Sequence, residues 1–260
     1  GQVNTAGESY VAWNWCMHDH VLDAGAQSNS DGDVTSSVLA DKKLGFSMGT
    51  FTKSSSGAQT VGHGLRQTPD MYVVKRYTGG TGSWFVYHKD QHDTAPEDNY
   101  VRFNNAGGAT DDATIWNDTA PTSSVFTVGS GFNDTEELLF YAWHSIEGFS
   151  KIGGFEGNAN ADGAFVHLGF KPAFVVLKTV DKAGGWHVFD NQRSPTNAND
   201  DIRIEWDNTD AENNGSSNNL YIDFLSNGFK PRTTFDNMNH SGSMIYMAFA
   251  EQPFMFANAR

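Results

Sequence analysis

One spacing constrains this chain more than any other: its segments recur at an offset of 103 residues, the step from Phe46 to Phe149. Gly45-Phe46-Ser47 returns as Gly148-Phe149-Ser150, and Pro69 returns as Pro172. At the same offset Met71-Tyr72-Val73-Val74-Lys75 meets Phe174-Val175-Val176-Leu177-Lys178, and Ser123 and Phe126 meet Ser226 and Phe229. Trp84-Phe85-Val86-Tyr87-His88 meets Trp186-His187-Val188-Phe189-Asp190 one residue out of step. An ordered series holding one register over about 80 residues reads as a duplicated unit rather than chance. A further motif, Tyr10-Val11-Ala12-Trp13, matches Phe140-Tyr141-Ala142-Trp143 and Tyr246-Met247-Ala248-Phe249. In the two later copies it closes the unit, so the chain opens on what reads as the closing strand of a preceding copy. A piece of a longer protein is therefore expected. The division becomes 1–43 (closing strand and linker), 44–146 (first unit) and 147–260 (second unit).

The units read as β structure. Apolar or alternating runs of five to eight residues, bounded by turn residues, mark strands at 71–75, 84–88, 138–143, 174–178, 186–190 and 244–250. Glycines in 77–82 and 181–185 suit hairpin turns, and Pro69 and Pro172 stand where a strand begins and a missing N–H costs little. No window of a dozen residues carries a helical apolar stripe. The expected fold is all-β: tandem β-sandwich units of jelly-roll or lectin-like type, built by internal duplication.

Charge and cysteine content exclude several functions. The formal net charge is −14, from 31 acidic and 17 basic residues, and no Lys/Arg cluster interrupts it. Such a surface repels nucleic-acid phosphate, so no nucleic-acid partner is expected. No apolar run is long enough for a membrane-spanning helix, so no membrane insertion is expected. Cys16 is the only cysteine, which excludes an internal disulfide and a thiolate metal site.

Chemistry is sparse. The nucleophile elbow Gly-x-Ser-x-Gly is absent, and no enzyme activity is expected. Glu205 and Asp207, on one strand face, are the first candidates for a glycoside-hydrolysis pair, but an acidic solvated edge is the simpler account of them. His18 and His20 would share a strand face but lack an evident third ligand. Asp31 and Asp33, in Asp31-Gly32-Asp33, are the candidate ligands for Ca²⁺, the one cofactor the sequence admits, although an Asp-Gly turn accounts for them too. The best binding hint lies in the tryptophan strands. Period-two alternation puts Trp84, Val86 and His88 on one face, Phe85 and Tyr87 on the other, and Trp186, Val188 and Asp190 together. A ring beside a polar group grips a sugar, so Trp84, His88, Trp186, Asp190 and Trp206 are the candidate ligand-binding residues. The competing account makes both strand tryptophans core anchors.

Several of these segments carry a resemblance. They are Tyr10-Val11-Ala12-Trp13-Asn14-Trp15, Val61-Gly62-His63-Gly64-Leu65, the run from Trp116 to Phe126, Glu147 to Lys151, Gly169 to Val175, Ile222 to Lys230 and Ile245 to Glu251. Together they resemble a repeated β-rich domain of tail-fibre and other virion proteins of marine bacteriophages. Cys16-Met17-His18-Asp19-His20 departs from it, standing where such proteins tend to carry a Gly/Ser-rich linker. The resemblance implies a virion surface protein, in the tail or on the particle, that recognises a host-surface glycan or protein. It also implies other virion proteins as partners and assembly as a homo-oligomer, a trimer by analogy with fibres. Capsid decoration or a purely structural fibre role is the alternative, and a glycan depolymerase the second alternative.

Overall fold

Alternating side chains force sheets with two unlike faces, and the computed structural model shows how those faces are covered. It describes residues 7, 12–14, 25–78, 82–193, 195–197, 202–212 and 220–252. In chain order the first half supplies β1 (Gln27–Asn29), β2 (Ser36–Asp41), β3 (Phe46–Thr52), β4 (Gln59–Gly62), β5 (Met71–Arg76), β6 (Phe85–His88), β7 (Asn99–Arg102), β8 (Thr110–Asp111), the single-turn helix α1 (Ala113–Trp116), β9 (Val125–Val128) and β10 (Glu137–Trp143). The second half supplies β11 (Ser150–Glu156), β12 (Val166–His167), β13 (Pro172–Thr179), β14 (His187–Asp190), β15 (Ile204–Glu205), β16 (Ile222–Leu225), β17 (Gly228–Pro231), α2 (Asp236–Asn239) and β18 (Ser243–Ala250). Strand accounts for 41% and helix for 5%, so the fold is an all-β sandwich.

The strands form an eight-stranded sheet ordered β1-β2-β3-β10-β5-β6-β7-β8 and a five-stranded sheet ordered β11-β18-β13-β14-β15. A two-stranded sheet (β4-β9) and a three-stranded sheet (β12-β17-β16) complete them. The run β3-β10-β5-β6-β7 has the same order as β11-β18-β13-β14-β15, and β4-β9 stands to the first as β12-β17 does to the second. The glycines that open the equivalent turns, Gly45 and Gly148, both hold positive φ, 64° and 72°, which a residue without a Cβ adopts at no steric cost.

Three cores run between four layers. Tyr72, Val74, Tyr87 and Phe140 pack one face of the eight-stranded sheet against Phe126 and Val61 of the two-stranded sheet, and Trp116 of α1 joins them against Tyr72. Val175, Leu177, Phe189 and Tyr246 do the same between the five- and three-stranded sheets, with Phe224 and Phe229 opposite. The central core comes from both halves: Met71, Val73, Val86 and Val101 meet Ile152, Val176, Trp186, Val188, Ile245 and Met247. The two principal sheets therefore pack face to face, and the halves share a core rather than standing as separate tandem sandwiches. Hydrogen bonds cross the same seam, among them Trp186 Nε1 to Arg102 O (2.7 Å) and Ala109 N to Val180 O (2.7 Å).

Two stretches differ from the sequence expectation. Residues 27–41, read as linker, carry β1 and β2 and extend the first sheet. The expected closing strand at Tyr10 to Trp15 is described only at Ala12 to Asn14, which lie outside the named strands. The rest of that segment, with Cys16, His18 and His20, lies outside the described residues, as do Asn213 to Asn219 and the tail after Gln252.

Candidate functional site

The eight-stranded sheet is wider than the five-stranded one packed on it, and an open cleft of about 580 Å³ lies at the step. Its floor follows from strand register. Tyr141 pairs with Met48 and Trp143 with Phe46, so β3 and β10 present four large side chains on the face that also carries Met71 and Val73. Phe46 stacks on Trp143 with centroids 5.1 Å apart. The walls come from strand ends: Trp84 just before β6, Phe103 just after β7 and Trp206 just after β15. Phe103 meets Trp206 edge-on at 5.2 Å, a favoured geometry for aromatic pairs.

Trp13 completes the far wall. Its ring lies 5.5 Å from Phe174 and 6.4 Å from Trp206, and its indole N–H donates to Asp190 Oδ2 at 3.2 Å. The Arg193 guanidinium covers the same ring at 5.5 Å and also pairs with Asp190. Burial would raise the Asp190 carboxyl, but the Arg193 main-chain and side-chain N–H groups, its charge and the Trp13 indole hold it below the usual range. Among the described residues, the polar side chains of the cleft are those of Asn14 and Asn104, both exposed. Asn104 Oδ1 accepts the Trp84 main-chain N–H at 3.0 Å, which fixes the amide beside the ring.

Of the five residues expected to bind ligand, the structure brings Trp84 and Trp206 together in this cleft. The other three lie apart. His88 is 1% exposed, and its Nε2 donates to Tyr246 O at 3.3 Å across the seam. Trp186 is a core anchor, 2% exposed. Asp190 is buried and braces Trp13 from behind. The expected alternation holds: Val86 faces the central core while Phe85 and Tyr87 face the outer one. Sequence reasoning missed Trp13, Phe46, Phe103, Tyr141 and Trp143. The available signal was the aromatic content of the recurring motifs, since Phe46 and Trp143 match Phe149 and Phe249, which also touch (5.8 Å).

The remaining candidates lie outside the cleft. Asp33 Oδ2 accepts both the main-chain N–H and the hydroxyl of Thr60, which hold its carboxyl below the usual range, and Asp31 Oδ2 accepts from Asn29. Among the described residues no three His, Cys, Asp or Glu side chains converge as metal ligands. Glu205 and Asp207 both crowd Gly185: a Cβ there would stand 3.0 Å from Glu205 Cδ and 3.1 Å from Asp207 Oδ1.

Layers and cleft together define a four-layered β-sandwich protein with an aromatic cleft at the seam of its principal sheets. The chain belongs to the family described as Domain of unknown function (DUF7483), whose model matches residues 1–253. No curated protein and no solved structure matches it.

Proposed function

We propose that this chain is a glycan-binding module of a bacteriophage particle, a tail-fibre or related surface protein that attaches to host-cell glycan. The observation that carries the binding part is the cleft itself. Seven aromatic rings line an open space of a size that suits a short oligosaccharide, with two exposed asparagine side chains among them. Rings cover the apolar faces of sugars, while amides exchange hydrogen bonds with their hydroxyls. The virion setting, the homotrimer and the other virion partners rest on the sequence resemblance alone.

Binding without cleavage is part of the reading. Glu205 is engaged by Arg203 and Asn208, and Asp207 Oδ1 accepts the Trp186 main-chain N–H at 2.7 Å. Glu205 and one oxygen of Asp207 thus hold loops, and neither residue lines the aromatic cleft. A glycan array probed with the whole chain is expected to give a defined set of bound glycans, and Trp84→Ala and Trp206→Ala to reduce that binding at least tenfold while leaving the fold intact. Binding unchanged in both variants would reject the cleft as the site. Release of reducing ends from a bound glycan would establish a depolymerase instead.

A further inference from the structure

The aromatic cleft has a neighbour. A polar pocket of about 430 Å³ lies beyond Asn104, and Asn104 lines both cavities. Trp206 walls the first while its chain neighbours Glu205 and Asp207 line the second. Asn105, Asn208 and Asn237 supply most of the remaining polar lining. The floor is the Gly184-Gly185 turn between β13 and β14, and a side chain at Gly185 would fill the space against Glu205 and Asp207.

The charged side chains that line this pocket are acidic, and the cations near it lie behind the lining. Lys178 lies behind the floor, its ammonium spent on the carbonyls of Gly184 (2.7 Å), Thr179 (3.0 Å) and Ala106 (3.3 Å). Among the described residues, no Lys or Arg side chain lines the pocket. Burial raises the Glu205 carboxyl, Arg203 opposes this, and Asp207 and Asp210 add to it, as expected where negative charges accumulate. The pocket is rich in acceptors: Asp207 has one oxygen on the Trp186 N–H and the other with no hydrogen-bond partner among the described residues.

We infer that the glycan site has two parts, and that the chain it takes runs from the aromatic cleft over Asn104 into this pocket. The unit reaching the pocket is one that donates hydrogen bonds, through hydroxyls or an ammonium group, and does not carry a carboxylate or sulfate. This rests on the glycan reading of the cleft and adds direction, length and charge to it.

The test compares oligosaccharides by calorimetric titration of the whole chain. The probes are chitobiose and chitohexaose, the deacetylated glucosamine hexamer, and hexagalacturonate. The hexamers of glucosamine or its N-acetyl form are expected to bind at least tenfold more tightly than the dimer, and hexagalacturonate at least tenfold more weakly than either hexamer. Asn208→Ala and Glu205→Gln should each abolish the length effect and leave dimer affinity within twofold, with the thermal midpoint measured to confirm folding. Equal affinity for dimer and hexamer, or preference for the galacturonate, overturns the two-part site while leaving the cleft in place. Absence of binding by every probe, in a chain that binds other glycans on an array, rejects the assigned sugar class. Absence on the array as well rejects the glycan reading itself.

Discussion

His63, His88 and His187 are wholly or almost wholly buried and are held neutral by their surroundings. In each the Nδ1 atom accepts a hydrogen bond: from Leu65 N (3.3 Å), from Asp90 N (3.1 Å) and from the Arg203 guanidinium (2.8 Å). The proton therefore lies on Nε2, which His63 donates to Thr122 O and His88 to Tyr246 O. Burial pushes His88 down to about 4, against the pull of the Tyr246 carbonyl, and lowers the other two in the same direction. An unfolded chain takes up these protons near pH 6.5, before the folded one does. Their contribution is thus complete above pH 6.5 and is lost as pH falls towards 4, by roughly 3 kcal/mol for His88 alone. Urea denaturation at pH 7 and pH 5 is expected to show a marked loss of stability at pH 5. His88→Gln should flatten that dependence, and an unchanged slope would show that His88 does not carry it.

At the scale of elements, much was legible because strands write their faces into sequence with a period of two. Val86 and His88 against Phe85 and Tyr87 could be read this way, as could the strands at 71–75 and 138–143. Which face another sheet would cover could not, because that depends on residues a hundred positions away. His88 beside Trp84, and Trp186 beside Asp190, each looked like half of a ring-and-polar pair, and packing of sheet on sheet buried both His88 and Trp186. Trp84 and Trp206 stayed partly open because they stand at strand ends, beyond the covered area. The repeated turn at Gly45 carries its own prediction. Its φ of 64° and the His144 carbonyl beside it leave no room for a methyl group. Gly45→Ala is expected to cost about 1–3 kcal/mol in equilibrium unfolding. A neutral result would mean the turn can adopt another conformation.

For the molecule as a whole, the matched strand orders and the paired positive-φ glycines support our inference that the two halves arose from one unit. Their difference then explains the cleft. The first half adds β1 and β2 to its sheet, the second sheet is narrower, and face-to-face packing leaves β3 and β10 partly uncovered. The aromatic site is a property of the assembled pair, which is why Trp13, Phe103 and Trp206 from three distant segments could not be joined from sequence. The most direct test is nuclear magnetic resonance of the seven tryptophan indole N–H groups, titrated with a glycan the chain binds. The signals of Trp13, Trp84, Trp143 and Trp206 are expected to shift together, while those of buried Trp116 and Trp186 stay in place. Binding that leaves the four cleft signals unmoved would contradict the account.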